Sequence, residues 1–232
     1  MSNERRVFRT EKKYLISILT AENLFNKLSQ LMDGDDTNGY ETYMVRSLYF
    51  DTPDNNDYHD KIAGLNYRKK IRLRIYDTKK DEAKLEIKEK QGKFQLKRSL
   101  NLNKEQAIMI INRDFEFLYD MDSELAKELY AILKSDNYMP VCVVDYRRRA
   151  LTNFTNDTRI TFDSVVSSSE CNFDIFDDNL AVVPVMNFDE TVLEVKYNGF
   201  LLRYIKKILN NIDSSEVSYS KYCMARKYSF GN

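Results

Sequence analysis

The chain has 232 residues, of which 43% are apolar, so it has enough hydrophobic material to fold around a core. Its 36 lysine and arginine residues are balanced by 36 aspartate and glutamate residues, and the formal net charge at pH 7 is zero. This balance gives no global support to a long-range attraction to nucleic acid or acidic membranes, so an anion site must be made by sorting cations into one place.

Alternation of apolar and polar residues with a period of two predicts most of the regular structure. In chain order it predicts eight strands, over residues 7–17, 43–51, 67–77, 83–91, 93–102, 140–151, 158–164 and 191–198. The sequence Gln91-Gly92-Lys93 is typical of a hairpin turn between two of them. Eight strands is a number suited to closing a barrel.

Helical periodicity predicts helices over 20–32, with Thr20 as the N-cap, and two more across 103–134. A last helix is predicted over 199–209, with an apolar face formed by Leu201, Leu202, Ile205, Ile208 and Leu209. We expect these helices to pack outside the barrel. Glycine and proline number only 6 and 3, so no long linker divides the chain. The predicted fold is therefore α+β, an eight-stranded antiparallel barrel with helices outside, in a single domain over 1–232.

The strands predicted over 67–77, 83–91 and 93–102 each carry charge on one face, because alternate residues of a strand point to the same side. The charged faces consist of Arg68, Lys70, Arg72 and Arg74, then Lys84, Glu86, Lys88 and Lys90, then Lys93, Gln95 and Lys97. The pattern E-x-K occurs on strands three times, as Glu11/Lys13, Glu86/Lys88 and Glu194/Lys196.

These charged faces could point to bulk solvent or into a wet lumen. Few serine and threonine residues accompany the charges, and enough amphipathic helix exists to cover the apolar faces, which favours the lumen. Like charges two apart on a strand repel by roughly 2 kcal/mol at an effective dielectric constant near 20. Carboxylates or a bound polyanion would have to offset that repulsion, and arginine is the residue best suited to grip phosphate oxygens. Triphosphate and longer phosphate chains match such a lumen.

The N-terminal sequence is too charged for a signal peptide, and the apolar runs are too short to span a bilayer. Three widely spaced cysteines without a CxxC pair, and a single histidine, argue against a disulfide framework, a zinc site or a histidine-cluster metal centre. We therefore expect a cytoplasmic protein without a membrane segment.

Several short motifs occur in a fixed order along the chain. They are the E-x-K of the first strand, the R-x-R of Arg72 and Arg74, LEIKEK, DYRRRAL followed by RITFDS, LEVKYNGF and SYSKY. In this order they resemble the VTC-domain polyphosphate polymerases, a branch of the triphosphate tunnel metalloenzyme (CYTH-like) superfamily. The resemblance runs from about Arg9 to Arg226.

The resemblance implies a tunnel barrel in which basic residues and a divalent metal, Mn²⁺ or Mg²⁺, bind the triphosphate of ATP. It implies catalytic roles for Arg72, Arg74, Arg148, Arg159 and Lys88. Phosphate-binding positions are Lys13, Lys97, Tyr146, Lys196, Ser220 and Lys221. Metal ligands would be Glu194, with Glu11 or Glu86. Choosing Lys97 rather than Arg98 depends on strand parity, which a β-bulge would reverse.

One departure from the relatives lies in the first strand. The hydrolase-like and cyclase-like relatives carry E-x-E-x-K, whereas this chain has Arg9-x-Glu11-x-Lys13, so one carboxylate is replaced by a cation. This favours the polymerase branch. Relatives elsewhere also carry a phosphate-sensing domain and membrane helices, which this sequence lacks, so any membrane partner stays open.

The predicted activity is transfer of the terminal phosphate of ATP to a growing polyphosphate chain, with ATP and polyphosphate as the partners. Two alternatives use the same residues: a triphosphatase, with water as acceptor, and a non-catalytic polyphosphate-binding module. Binding of nucleic acid is not expected, because the net charge is zero and few aromatic residues lie on the basic faces. Glu86 and Glu194 could also simply balance neighbouring lysines, and Tyr146 and Ser220 could be ordinary hydrogen-bonding residues.

Overall fold

A computed structural model describes residues 9–92, 94–210, 212 and 214–230. Residues 7 and 8 of the first predicted strand, and Lys93 of the fifth, lie outside the described residues. The chain divides into two compact units. The first unit is Met1–Met44, Tyr146–Val166 and Met186–Ser220, and the second is Val45–Asp145, Ser167–Val185 and Lys221–Asn232. The predicted single domain stays a prediction.

All eight predicted strands are present, and two short ones are added. The strands are β1 (Arg9–Ser17), β2 (Asp33–Gly34), β3 (Tyr43–Asp51), β4 (Tyr67–Ile75), β5 (Ala83–Gln91), β6 (Phe94–Leu102), β7 (Met139–Asn153), β8 (Thr158–Ser169), β9 (Val183–Pro184) and β10 (Glu190–Asn198). Both ends of β3 and β5 agree with the prediction. The short β2 and β9 were not predicted, because two residues are too few to show alternation.

Seven α-helices accompany the strands in the described part of the chain. They are α1 (Ile18–Leu28), α2 (Asn56–Ile62), α3 (Lys104–Ile111), α4 (Glu116–Asp120), α5 (Glu124–Ser135), α6 (Arg203–Leu209) and α7 (Lys221–Phe230). The predicted N-cap Thr20 is wrong: Ser17 caps α1, and its hydroxyl accepts a hydrogen bond from the Thr20 amide at 3.1 Å. None of the described helices has the length and apolar character needed to cross a bilayer.

In the first unit the strands follow the order β1-β10-β8-β7, and β2 pairs with β7. Helices α1 and α6 cover one face of these strands. They build one hydrophobic cluster with it, which includes Phe25, Leu28, Phe162, Leu193 and Ile205. The apolar residues predicted over 199–209 do pack against that cluster, but the predicted start of the helix is wrong: α6 begins at Arg203, so Leu201 and Leu202 precede it.

In the second unit the strands follow the order β7-β3-β4-β5-β6. Strands β3, β7 and β8 each have residues in both units. Ile71, Leu73 and Ile87 are fully buried on one face, and α3 contacts β5 while α5 contacts β6. The predicted fold class is thus confirmed as α+β with a large antiparallel sheet. In both units helices cover the apolar side, which leaves the charged faces of the strands for other contacts.

Candidate functional site

In the first unit, β1 and β10 place two E-x-K pairs side by side. The antiparallel register sets Glu11 opposite Lys196 and Lys13 opposite Glu194, so each cation faces a carboxylate across the strands. The Lys13 ammonium lies 3.3 Å from Glu11 and 3.5 Å from Glu194, and it donates to the carbonyl of Tyr219 at 3.0 Å. Lys196 Nζ lies 2.8 Å from the other oxygen of Glu194. The predicted strand parity is therefore confirmed here.

Arg148 of β7 is buried next to Asp163 of β8. Its Nε and Nη2 donate to the two carboxylate oxygens at 2.6 and 2.7 Å, and the guanidinium carbon lies 5.2 Å from the centre of the Tyr146 ring. Burial alone would lower the pKa of Arg148, but Asp163 raises it well above its usual value. The side chain is thus a fixed, permanently charged group.

Arg159 of β8 is held by two residues that the sequence did not indicate. Its Nη2 donates to Asp35 at 2.8 Å and to the Tyr43 hydroxyl at 3.3 Å, and that hydroxyl donates to Asp35 at 2.6 Å. Burial opposes ionisation of Asp35, but the hydrogen bond from Tyr43 and the charge of Arg159 lower its pKa below the usual value. Arg159 also stands opposite Lys196 in the sheet, which brings two cations together.

In the second unit, cations stand opposite cations across three strands. Lys70 of β4 pairs with Lys88 of β5, which pairs with Lys97 of β6, and Arg74 pairs with Lys84. Residues opposite each other in an antiparallel sheet share a face, and like charges in that position repel. We call the set Lys70, Arg72, Arg74, Lys84, Lys88 and Lys97 the cation row.

A buried carboxylate lies inside the cation row. Glu86 accepts a 2.6 Å hydrogen bond from Arg72 Nε and forms an ion pair with Lys97. Burial would raise the pKa of Glu86, but Arg72, Arg74 and Lys97 lower it to about 2, so the carboxylate is ionised at neutral pH. Even so, burial together with the two arginines lowers the pKa of Lys97 against the opposing effect of Glu86. Burial is the larger cause, so the ammonium of Lys97 is held at a desolvated position beside Glu86.

Aromatic residues and a buried aspartate support the cation row from within the second unit. Arg72 Nη1 donates to the Tyr49 hydroxyl at 3.2 Å, and the Tyr49 ring stacks on Tyr222 of α7 at 5.0 Å. The Tyr222 hydroxyl donates to Asp51, which also accepts from the Asp57 and Tyr58 amides of α2. Helices α2 and α7 are thereby tied to β3, whose Tyr49 stands opposite Arg72 of β4.

The structure brings the predicted residues together in two sets. The first unit holds Glu11, Lys13, Tyr146, Arg148, Arg159, Glu194 and Lys196, and the second holds Arg72, Arg74, Glu86, Lys88 and Lys97. Half-buried Ser220 directly precedes α7, and Lys221 is its first residue. That all of them face one channel stays a prediction.

Strand parity correctly separates Lys97 from its neighbour. Lys97 lies on the face of Glu86, whereas Arg98 points to the other face and binds Glu89 at 2.7 Å and Glu128 of α5.

Of the residues that the sequence analysis missed, Asp163 shares the parity of Arg159 on β8, so alternation could have found it. Asp35 follows the two-residue β2, where no periodic signal exists.

The predicted metal ligands Glu11 and Glu194 lie on neighbouring strands with the Lys13 ammonium between them, so the pair already holds a cation. Carboxylate oxygens are the ligands that Mg²⁺ and Mn²⁺ prefer. Within the described ranges, no group of three or more histidine, cysteine or acidic residues could hold a metal ion. Glu11 and Glu194 would supply only part of the coordination of Mg²⁺ or Mn²⁺, so this pair fits a metal that takes its further ligands from phosphate and water. Glu86, the other predicted ligand, lies in the second unit between Arg72 and Lys97.

Known proteins resemble this chain in sequence pattern and in fold. A family model described as the VTC domain matches residues 8–230. An adenylate cyclase-like protein from Bacillus halodurans has a TM-score of 0.53 at 14% identity, over 92% of this chain and 95% of its own. An adenylyl cyclase-like protein from Hippeastrum with a dominant triphosphatase activity has a TM-score of 0.52 at 12% identity, over 93% and 94% of the two chains. No protein with a curated description matches.

Proposed function

The chain belongs to the VTC domain family, and from this premise we propose that it transfers the terminal phosphate of ATP to a polyphosphate chain. The family and the fold together indicate an enzyme of the triphosphate tunnel type. The proposal goes further by assigning a phosphate chain, rather than water, as the acceptor. We place the activity in the cytoplasm, because three widely spaced cysteines without a CxxC pair are typical of a protein kept in a reducing compartment.

The observation that carries the proposal is the cation row of the second unit. Lys70, Lys88 and Lys97 stand opposite one another, although such pairing destabilises a sheet. A protein keeps such an arrangement when an anion offsets the repulsion, and a linear anion with regularly repeated charges matches a row of cations. Polyphosphate and the triphosphate of ATP are anions of this kind.

The arginines would supply positioning and charge stabilisation. In the first unit, Arg148 and Arg159 are oriented by Asp163 and Asp35, so each presents its remaining donors without losing further side-chain freedom. Arg72 and Arg74 would hold phosphate oxygens in the second unit. In phosphoryl transfer such contacts neutralise the charge that develops on the transferred group. The terminal oxygen of a polyphosphate acceptor is already ionised at neutral pH, so no general base is required.

Lysines and the two carboxylates would complete the site. Lys88, Lys97 and Lys221 would guide the phosphate chain, while Lys13, Lys196, Tyr146 and Ser220 would bind the nucleotide phosphates. Glu11 and Glu194 would hold Mn²⁺ or Mg²⁺, which supplies further neutralisation of phosphate charge when bound. Glu86 would reduce the repulsion between the cations of the row while no substrate is bound.

A triphosphatase is the second candidate, favoured by the fold that the chain shares with the Hippeastrum protein of dominant triphosphatase activity. Incubation of the protein with ATP and Mn²⁺, followed by gel electrophoresis of the products, separates the two. Long phosphate chains support the polymerase, and orthophosphate without chains supports the hydrolase.

Amino-acid substitutions test whether the assigned residues are required for turnover. Arg72→Ala and Glu194→Gln are expected to lose turnover, whereas Arg98→Ala, whose side chain binds Glu89 and Glu128 on the other face of the sheet, is the matched control. Binding of phosphate chains by the wild type without any metal-dependent turnover would instead identify a binding module.

A further inference from the structure

Three aromatic side chains of the first unit are exposed where two connections meet. Phe154, between β7 and β8, is 99% exposed. Phe200, between β10 and α6, is 66% exposed, and Tyr204, in the first turn of α6, is 42% exposed. The connections are joined by hydrogen bonds from Asn156 Nδ2 to the Phe200 carbonyl at 2.6 Å and from Asn153 Nδ2 to the Tyr204 hydroxyl at 3.5 Å. The aromatic residues are therefore grouped by structure and not scattered.

Helix α6 adds basic residues to the same region. Arg203, Lys206 and Lys207 are exposed and follow the i, i+3, i+4 spacing that places side chains on one side of a helix. Ile205 is fully buried and anchors the helix to the hydrophobic cluster of the first unit, which turns the basic side outward. Within the described part of the chain these three cations form no ion pair. They add three positive charges to one short helix of a chain that is neutral as a whole.

We infer that Phe154, Phe200, Arg203, Tyr204, Lys206 and Lys207, the aromatic-basic face, dock this protein reversibly on an anionic lipid surface. Exposed rings cost free energy in water and gain it at the boundary between headgroups and acyl chains, where aromatic side chains are favoured. Lysine and arginine beside them attract acidic headgroups, so both contributions act at one place. The inference concerns residues other than those of the proposed phosphate site and does not depend on that function.

Charge and shape together favour this occupant over others. A nucleic acid would gain from stacking on the rings, but the cations lie on a single short helix and do not form a path along which a backbone could run. A second copy of the chain would bring the same three cations against the first set in a symmetric contact, and these would repel. An acidic membrane accepts rings and cations at once and requires no precise partner geometry.

The sequence has no tryptophan, so Phe154→Trp introduces a single reporter on the aromatic-basic face. We expect its emission to shift to the blue with vesicles of phosphatidylcholine and phosphatidylglycerol, but not with phosphatidylcholine alone. Added salt should reverse the shift, because it screens the attraction of cations to headgroups. The matched control is Phe188→Trp, at a 73% exposed position beyond the opposite end of β10, roughly 25 Å away along the strand.

Sedimentation with the same vesicles measures the docking directly. Phe154→Ser/Phe200→Ser and Lys206→Glu/Lys207→Glu should each reduce the bound fraction at least tenfold, while Phe188→Ser should bind as the wild type does. Circular dichroism checks that each variant is folded. Equal binding to neutral and acidic vesicles, or wild-type binding by both double variants, would overturn the inference.

Three further outcomes would assign the face to another partner. An emission shift of the Phe154→Trp protein with single-stranded oligonucleotide in place of vesicles indicates nucleic acid, and one with polyphosphate alone indicates the phosphate chain. Concentration-dependent self-association that Phe154→Ser/Phe200→Ser abolishes indicates a second copy. Each of these, without vesicle binding, rejects a lipid surface. None of them bears on turnover at the proposed phosphate site.

Discussion

The guanidinium of Arg148 and the carboxylate of Asp163 form two parallel hydrogen bonds, of 2.6 and 2.7 Å, in the buried part of the first unit. A bidentate contact fixes the plane of the guanidinium as well as its position. The two residues come from β7 and β8, so the pair also fixes how those strands present their charged face. Arg148 can therefore meet a phosphate without first being ordered, and the carboxylate of Asp163 compensates its buried charge.

Replacing Asp163 with asparagine tests this dependence. Asp163→Asn keeps the shape but leaves the buried charge of Arg148 without its partner, so the free energy of unfolding should fall by about 3 kcal/mol. Urea denaturation measures the change. Asp122→Asn, at an exposed position, should alter stability by less than about 0.5 kcal/mol. Equal stability of Asp163→Asn and the wild type would mean that the pair does not hold Arg148 in place.

Two neighbouring residues of β6 provide a test of the cation row. Lys97→Ala removes a cation from the row and should weaken binding of inorganic tripolyphosphate roughly tenfold, which corresponds to about 1.4 kcal/mol. Arg98→Ala removes a cation from the other face, so it should reduce stability through Glu89 and Glu128 but leave the affinity within about twofold. Isothermal titration calorimetry measures both affinities. Equal losses in the two variants would indicate nonspecific attraction.

Glu86 gives the protein a defined response to acid. Its pKa is lowered from the ordinary 4.5 to about 2, so the unfolded chain binds a proton before the folded chain does as the pH falls. The stabilisation is fully present above about pH 4.5 and is lost as the pH falls towards about 2; it amounts to about 3 kcal/mol. Glu86→Gln should therefore flatten the dependence of unfolding free energy on pH in this window. An unchanged slope would show that other carboxylates control the acid response.

The contact between Tyr222 and Asp51 is expected to hold α7 against the cation row, where the Lys70 ammonium lies 5.3 Å from the centre of the Tyr222 ring. Tyr222→Phe removes a donor from the fully buried carboxylate of Asp51 but keeps the ring stacked on Tyr49, so the free energy of unfolding should fall by about 1 to 2 kcal/mol. Tyr119→Phe, at a 62% exposed position, is the control. If thermal unfolding gives the same loss for both variants, the hydroxyl of Tyr222 has no special role.

Much of the fold follows from alternation alone. The charged faces of β4, β5 and β6 occupy the predicted parity, because an apolar side chain on the wrong face would lose its burial against the helices. Phe94 and Leu96, which lie on the face of β6 opposite to Lys97, are nevertheless 53% and 44% exposed. Strand β6 ends the path of paired strands, and a strand at that position has fewer neighbours to cover its apolar side.

The residues that orient the arginines were harder to predict. Asp35 and Tyr43 reach Arg159 from positions more than a hundred residues earlier, and Tyr222 reaches Asp51 from α7. Such pairs arise when residues far apart in the sequence pack together, and the alternation of residues around either one does not identify its partner. The sequence can therefore identify which side chains share a strand face, but not which distant partner neutralises each of them.

The pair of carboxylates around Lys13 leads to a prediction on metal binding. Glu11 and Glu194 already share one ammonium, so a divalent ion would replace it most easily when a triphosphate draws Lys13 towards its own oxygens. Mn²⁺ should thus bind more tightly in the presence of tripolyphosphate, as the loss of the free-ion electron paramagnetic resonance signal measures.

Glu194→Gln should weaken that binding at least tenfold, about 1.4 kcal/mol, because an amide oxygen carries no charge to offset that of the metal. The control is Glu216→Gln, whose carboxylate pairs with Lys12 on the other face of β1. Tripolyphosphate titrated without metal separates loss of the anion site from loss of the metal ligand, since Glu194→Gln should bind the anion as well as the wild type does. Equal Mn²⁺ affinity in both variants would mean that Glu194 serves only to balance Lys13 and Lys196.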